Sequence, residues 1–312
     1  MRKTPSVVIV ILNWNGKNWL RNCLKSIRKN TKYTNYKIFV VDNGSADGSI
    51  EMVKKEFPIV QLICNKENLG FSRATNQGIK RALKNGADYV FLLNNDMEII
   101  QKDWLKNLVE TAESNDNIGI VESNTLLFCD KITFSARQSF EERYNLSSEK
   151  TREVDLVGGG LALIKREVIE KIGLFDEGFS PFWGEDCDYS ARTKKAGYKL
   201  VRNPKVAIIH YPHKAISEID DDYKFFIRVK NWLRLMLLNS PLRSLIKMVF
   251  VKFLLVSLKK KDDRSRVAIT VIKLPESFSR KLFLFLKACW VNLKNLREIL
   301  EKRRNRSMKI WF

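Results

Sequence analysis

Residues 7–16 read Val7-Val8-Ile9-Val10-Ile11-Leu12-Asn13-Trp14-Asn15-Gly16, an unbroken apolar run that ends in a polar turn. Five of its six apolar residues are β-branched. A run without apolar–polar alternation is a strand buried on both faces, which is the condition of a parallel strand covered by helices. The residues that follow repeat this theme. Leu20, Cys23, Leu24 and Ile27 give helical spacing over 19–29, and a second buried strand at 38–41 is cut off by Asp42-Asn43-Gly44-Ser45. A helix is expected at 49–56, a strand at 60–64, a helix at 71–84 and a strand at 89–93 that stops at Asn94-Asn95-Asp96. Strands alternating with helices define a doubly wound α/β sheet, with ligands bound beyond the carboxyl ends of its strands. Asn13, Asp42 and Asp96 all fall at such ends.

Beyond residue 100 the pattern loosens. A strand is expected at 118–122, a polar loop at 131–150 and a Gly-rich strand at 157–164. Helices are expected at 167–172 and 186–196, closed by Gly173 and Gly197, and an extended segment at 200–209 leads to His210. From residue 223 the composition changes. Residues 223–312 hold 23 Lys/Arg and 5 Asp/Glu, so +18 of the chain's +21 sits there. Residues 223–239 read as a basic amphipathic helix. The apolar stretches 242–258 and 282–293 are interrupted by Arg243, Lys247, Lys252 and Lys287. Both fall short of the roughly 20 apolar residues that a spanning helix needs. Residues 1–222 are therefore read as one α/β domain. Residues 223–312 are read as helices lying on an anionic membrane surface, with Lys and Arg reaching the headgroups. The expected location is the cytoplasmic face of the membrane, peripheral or monotopic. A nucleic-acid partner would use the charge but leave the apolar stretches idle, so none is expected. The five cysteines are odd in number and show no CxxC spacing, which argues against a disulfide framework or a zinc site and fits a reducing compartment. Two histidines leave little room for His-based triads. The N-terminus runs into its first strand too soon for a signal peptide.

Three acidic positions carry candidate chemistry. Asp42 can accept hydrogen bonds from a ribose or a base, although Asp-Asn-Gly-Ser is also ordinary turn chemistry. Asp96, delivered by an apolar strand, suits a hard divalent ion that takes one or two carboxylates plus substrate phosphates; it also reads as a cap for the helix that follows. Glu185, Asp186 and Asp188 stand at a helix start beside Trp183. There they suit either the helix dipole or a general base in a sugar cleft.

Together these segments resemble family 2 glycosyltransferases, and within them the rhamnosyltransferase-like branch. The resemblance covers about the first 215 residues. It rests on residues 8–16, Val40-Val41-Asp42-Asn43-Gly44-Ser45, Asn68-Leu69-Gly70-Phe71-Ser72-Arg73-Ala74-Thr75-Asn76, Leu93-Asn94-Asn95-Asp96, Gly173-Leu174-Phe175-Asp176-Glu177 and Gly184-Glu185-Asp186-Cys187-Asp188-Tyr189. It implies a GT-A fold and inverting transfer of a sugar from a nucleotide-diphosphate donor to a hydroxyl of a glycan or lipid-linked acceptor, with Mg²⁺ or Mn²⁺. By position, Asp186 would be the catalytic base. Asn13, Asp42, Arg73, Asn76, Asn94 and Asn95 would lie on the nucleotide-sugar side, and Trp183 and Glu185 on the acceptor or sugar side. Asp96 and His210 would meet the metal. Asn94 stands where the family's metal motif carries its first acid, which keeps open a non-catalytic protein on a transferase-like scaffold. A hydrolase pairing Asp186 with Glu185 or Asp188 is disfavoured by the α/β order.

Overall fold

The computed structural model describes residues 4–127, 150–211, 219–241 and 277–308. The stretch 242–258 lies outside them, as does the expected loop 131–150 except for its last residue.

The first strand, β1 (Val7–Asn13), leads into α1 (Lys17–Asn30), β2 (Tyr36–Asp42), α2 (Ser49–Glu56), β3 (Gln61–Cys64), α3 (Phe71–Lys84) and β4 (Tyr89–Asn94). Next come β5 (Met97–Ile99), α4 (Trp104–Glu113), β6 (Ile118–Leu127), β7 (Arg152–Glu153), β8 (Leu161–Lys165) and α5 (Arg166–Ile172). The remaining elements are α6 (Glu185–Lys195), β9 (Lys199–His210), α7 (Asp221–Asn239), α8 (Phe278–Lys294) and α9 (Leu296–Met308). The strands form one sheet in the order β3-β2-β1-β4-β8-β6-β9-β5, with β7 also on β9. The parallel half is β3-β2-β1-β4, where Leu12 pairs with Asn94 and Asn13 with Asp42. Beyond β4 the sheet is mixed, because β8 runs antiparallel to both β4 and β6 while β6 and β9 are parallel.

The apolar run behaves as its composition demands. Val7, Ile9 and Ile11 enter one core and Val8 and Val10 the other, all within 3% of complete burial. The Gly-rich strand starts later than expected, at Leu161. The preceding backbone turns instead of pairing, with Gly158 N–H donating to Glu122 Oε1 at 2.8 Å and Gly160 O accepting from Asn94 N at 3.2 Å.

The described chain divides into two compact units. One holds the sheet and the helices packed on it. The other comprises Asp176–Asp188 and the helices after residue 213. Within the second unit, Phe225, Phe226, Ile227 and Leu233 of α7 pack with Leu284 and Ala288 of α8, and Phe182 and Trp183 lie against them. Phe179, Leu238 of α7 and Ile299 of α9 form a smaller cluster. No helix among the described residues is long and apolar enough to cross a membrane.

One contact in the sheet unit tests this packing. A Cβ at Gly78 of α3 would lie 2.3 Å from Val10 Cγ1 and 3.1 Å from Val41 Cγ2. Overpacking of this kind costs about 1–3 kcal/mol. Gly78→Ala should therefore lower the urea midpoint, and combining it with Val10→Ala should cost less than the sum of the two single losses. Strict additivity would show that the helix does not sit against β1 in this way.

Candidate active site

A side-chain relay links the carboxyl ends of three parallel strands. Asn95 Nδ2 donates to Asn13 Oδ1 at 2.7 Å, and Asn13 Nδ2 donates to Asp42 Oδ2 at 2.9 Å. Asp42 Oδ1 in turn accepts from Ser45 N–H at 2.9 Å. Asn13 and Asp42 are buried, so their amide and carboxylate are oriented before any ligand arrives. Asn43, which the sequence reading passed over, organises the adjoining loop. It donates to Asn68 Oδ1 at 2.8 Å and accepts from Leu69 N–H at 3.0 Å. An asparagine between Asp42 and Gly44, with further asparagines at 65 and 68, was the available signal.

Asp96 sits in the turn between β4 and β5, and His210 closes β9. The registry Met97↔His210 brings them side by side, with His210 Nε2 3.1 Å from Asp96 Oδ2. The Asp96 carbonyl also accepts from Tyr211 N–H at 2.9 Å, which fixes the turn to the strand end. Asn94 and Asn95 are half-buried beside this pair.

Two other residues of the expected donor side are placed differently from one another. Arg73 is exposed in the first turn of α3. Asn76 is buried in the same helix and clasps one peptide unit, donating to Phe175 O and accepting from Phe175 N–H, each at 3.0 Å.

Trp183, Glu185 and Asp186 belong to the second unit. Trp183 has φ +71°, the left-handed region, and the Arg228 guanidinium lies 5.2 Å from its ring centroid. Asp186 Oδ1 accepts from Cys187 N–H at 2.7 Å. Burial, together with the neighbouring Asp186 charge, pushes the Glu185 carboxyl up to about 8. Burial also raises Asp186. Adjacent carboxyls in one dry setting disfavour each other's ionisation, and the Asp186 charge is one of the causes that hold the proton on Glu185. Asp188, the third acid of the cluster, is fully buried and bonded to Arg306 at 2.6 Å. It is a structural carboxylate.

The sequence model of Glycosyl transferase family 2 matches residues 6–173, the segment that carries the relay, Asp96 and the strands β1 to β8. The chain belongs to glycosyl transferase family 2. Its relatives include the protein y4gI of Sinorhizobium fredii, 24% identical over 244 residues, which cover 71% of this chain and 26% of that protein. The succinoglycan biosynthesis protein ExoA of Rhizobium meliloti is 26% identical over 244 residues, covering 74% of this chain and 71% of ExoA. Among solved structures, the mannosyltransferase PcManGT of Pyrobaculum calidifontis, in complex with GDP-Man and Mn²⁺, superposes with a TM-score of 0.54 at 19% identity. The match covers 74% of this chain and 63% of PcManGT, and it shows a shared GT-A fold. The sheet unit thus combines a relay at the ends of β1, β2 and β4 with an aspartate–histidine pair at the β4–β5 turn and the end of β9.

The two raised carboxyls give a measurable contrast. Asp186→Asn should lower kcat by roughly 10²–10⁴, whereas Glu185→Gln, replacing a group already neutral at pH 7, should keep most of it. Stability should differ as well. Glu185 has its proton affinity raised on folding, so its contribution is fully present below its unfolded pKa and is lost as pH rises through about 8. Urea midpoints at pH 6 and pH 9 should therefore fall further in the parent than in Glu185→Gln. Equal falls, or an active Asp186→Asn with a dead Glu185→Gln, would reverse the assignment.

Proposed function

We propose that this chain is an inverting glycosyltransferase that moves a sugar from a nucleotide-diphosphate donor to a hydroxyl of a glycan or lipid-linked acceptor. The observation that carries the reading is the Asp96–His210 pair at the carboxyl end of the sheet. Among the described residues there is no group of three or more His, Cys, Asp or Glu that would cage a metal. A cage is not what a diphosphate-bound ion needs, because substrate phosphate oxygens and waters together fill most of the coordination sphere. The pair would offer a divalent ion one carboxylate and one imidazole nitrogen, which the sheet holds side by side at 3.1 Å. Bound there, Mg²⁺ or Mn²⁺ would supply Lewis-acid neutralisation of the leaving diphosphate.

The chain's own residues supply the rest. Asp42 and Asn13, locked by their relay, are placed to read the nucleoside, and Arg73 and Asn95 to meet the donor. Asn76 supports this side through Phe175. Asp186 accepts the proton of the acceptor hydroxyl as that oxygen attacks the anomeric carbon opposite the leaving group, which inverts configuration. Glu185, protonated, can donate a hydrogen bond near the sugar, and Trp183 offers it an aromatic face. ExoA's role in succinoglycan biosynthesis supports a polysaccharide or glycoconjugate product for this chain too.

Donor binding is the direct test. GDP- and UDP-sugars with Mn²⁺ should raise the melting temperature of the parent by mass action. Asp96→Ala should lose both that shift and turnover while keeping its unliganded melting temperature. Turnover that survives EDTA at full rate would refute the metal assignment.

We also propose a peripheral membrane location on the cytoplasmic face, and an exposed stripe in the second unit supports the membrane contact. Phe283, Leu286, Trp290 and Leu293 form a stripe along α8, each 55–59% exposed. Arg280 and Lys294 lie over the rings of Phe283 and Trp290 in that stripe. Apolar side chains at this spacing, bordered by cations, suit an anionic leaflet. Phe283→Glu/Trp290→Glu should abolish flotation with anionic vesicles and leave donor binding intact. Unchanged flotation would remove α8 from the membrane contact.

A further inference from the structure

The segment Asp176–Asp188 holds two kinds of carboxylate. Glu185 and Asp186 are kept at raised proton affinity by burial. Asp176 and Asp188 are ion-paired to the basic helices. Arg234 of α7 grips Asp176 through Nε at 3.1 Å and Nη2 at 2.9 Å. Lys302 of α9 adds a bond at 2.6 Å, and Arg306, one turn later on the same face, reaches Asp176 at 3.4 Å. Burial alone would raise Asp176, but these cations hold it well below the usual carboxylate range. Arg306 also forms a fork with Asp188, at 2.6 and 3.1 Å, and Asn239 of α7 donates to the same carboxylate at 2.9 Å.

Between these anchors the backbone is held by Asn231 of α7. Its Nδ2 lies within 2.7–2.8 Å of the carbonyl oxygens of Phe179, Phe182 and Trp183. That carboxamide closes a stretch in which Trp183 (φ +71°) and Gly184 (φ +98°) are consecutively left-handed. A Cβ at Gly178 would lie 2.0 Å from the Arg234 guanidinium carbon, so any side chain there would displace that guanidinium. The segment that presents Glu185 and Asp186 is thus fixed before, within and after its turn by side chains of α7 and α9.

We propose that α9 belongs to the catalytic apparatus: Arg306 and Lys302, with Arg234, are positioning residues whose ion pairs with Asp176 and Asp188 set the orientation of the base. The inference rests on Asp186 being that base. A base acts only within hydrogen-bond reach of its proton, and a displacement of about 1 Å can cost about 10²-fold in rate. The basic tail then has two separate duties, since its internal cations are not those on the exposed face of α8.

The test uses the full chain and three variants: Arg306→Ala, Arg306→Lys and the double variant Arg306→Ala/Asp188→Asn. Steady-state kinetics give kcat and donor KM, and amide hydrogen exchange reports local order without requiring activity. Arg306→Ala should lower kcat by about 10- to 10²-fold with donor KM within twofold of the parent. Exchange over 179–190 should accelerate several-fold while exchange over 36–42 stays unchanged. Arg306→Lys should recover most of both. The double variant removes both charges, which avoids leaving a buried carboxylate with its cation deleted, so it should fold even if Arg306→Ala does not. It should still show lowered kcat, because the tether is gone. Parental kcat in Arg306→Ala or in the double variant overturns the inference, as does unchanged exchange over 179–190. If the parent itself turns over no nucleotide sugar, the proposed function fails, and exchange alone decides whether Arg306 fixes the segment.

Discussion

Burial of β1 on both faces is the constraint from which the rest follows. A strand with cores above and below has no solvated face on which to carry chemistry, so polar function collects where it ends. Asn13 is that end. Its carboxamide accepts from Asn95 and donates to Asp42, so one side chain ties together the termini of β1, β2 and β4. The relay fills the hydrogen-bonding capacity of groups that would otherwise be buried and unsatisfied. It also leaves a preorganised polar floor beside Asp96. Core and site are therefore not separate achievements of the fold, since the apolar run that builds one dictates the place of the other.

Much of this was readable from residue types alone. Buried strands and turn residues gave β1 to β4, and the same turn residues marked the crevice. The pairing of Asp96 with His210 was not readable in that way, because it depends on β9 lying antiparallel to β5, 114 residues away in sequence. The mixed half of the sheet was hidden for a related reason. β8 and β6 are short or partly polar, and β8 pairs antiparallel with two strands far from it in sequence, β4 and β6. Asn76 shows a different limit. In sequence it resembled a donor contact, whereas in the structure its carboxamide is occupied by one peptide unit at Phe175.

The acidic cluster at 185–188 shows most clearly what three-dimensional placement adds. In sequence, Glu185, Asp186 and Asp188 are three similar carboxylates at a helix start. In the structure their surroundings differ in kind. Asp188 faces a guanidinium fork and a carboxamide, so both of its oxygens are engaged by partners from the helices. Glu185 and Asp186 are desolvated and adjacent, so one proton is shared out between unequal environments. Such a division is what acid–base work at neutral pH requires, and it cannot be read from the order of residues because the cations arrive from helices more than fifty residues later.

The positive tail is the last feature to account for. Its +18 invited a single explanation, a charged surface partner. The structure separates that charge by burial. Arg234 is nearly excluded from solvent and Arg306 is largely so, and both neutralise carboxylates of their own unit. Charges desolvated in this way respond weakly to added salt, because screening acts on groups in contact with the electrolyte. Lys294 and Arg280, the latter half-exposed though paired with Asp222, lie on α8 in contact with solvent and remain open to screening. Ionic strength therefore offers a physical means of telling the exposed cations from the buried ones. Moderate salt should weaken the proposed attraction of the exposed cations to an anionic surface at concentrations where the buried pairs at Asp176 and Asp188 still hold.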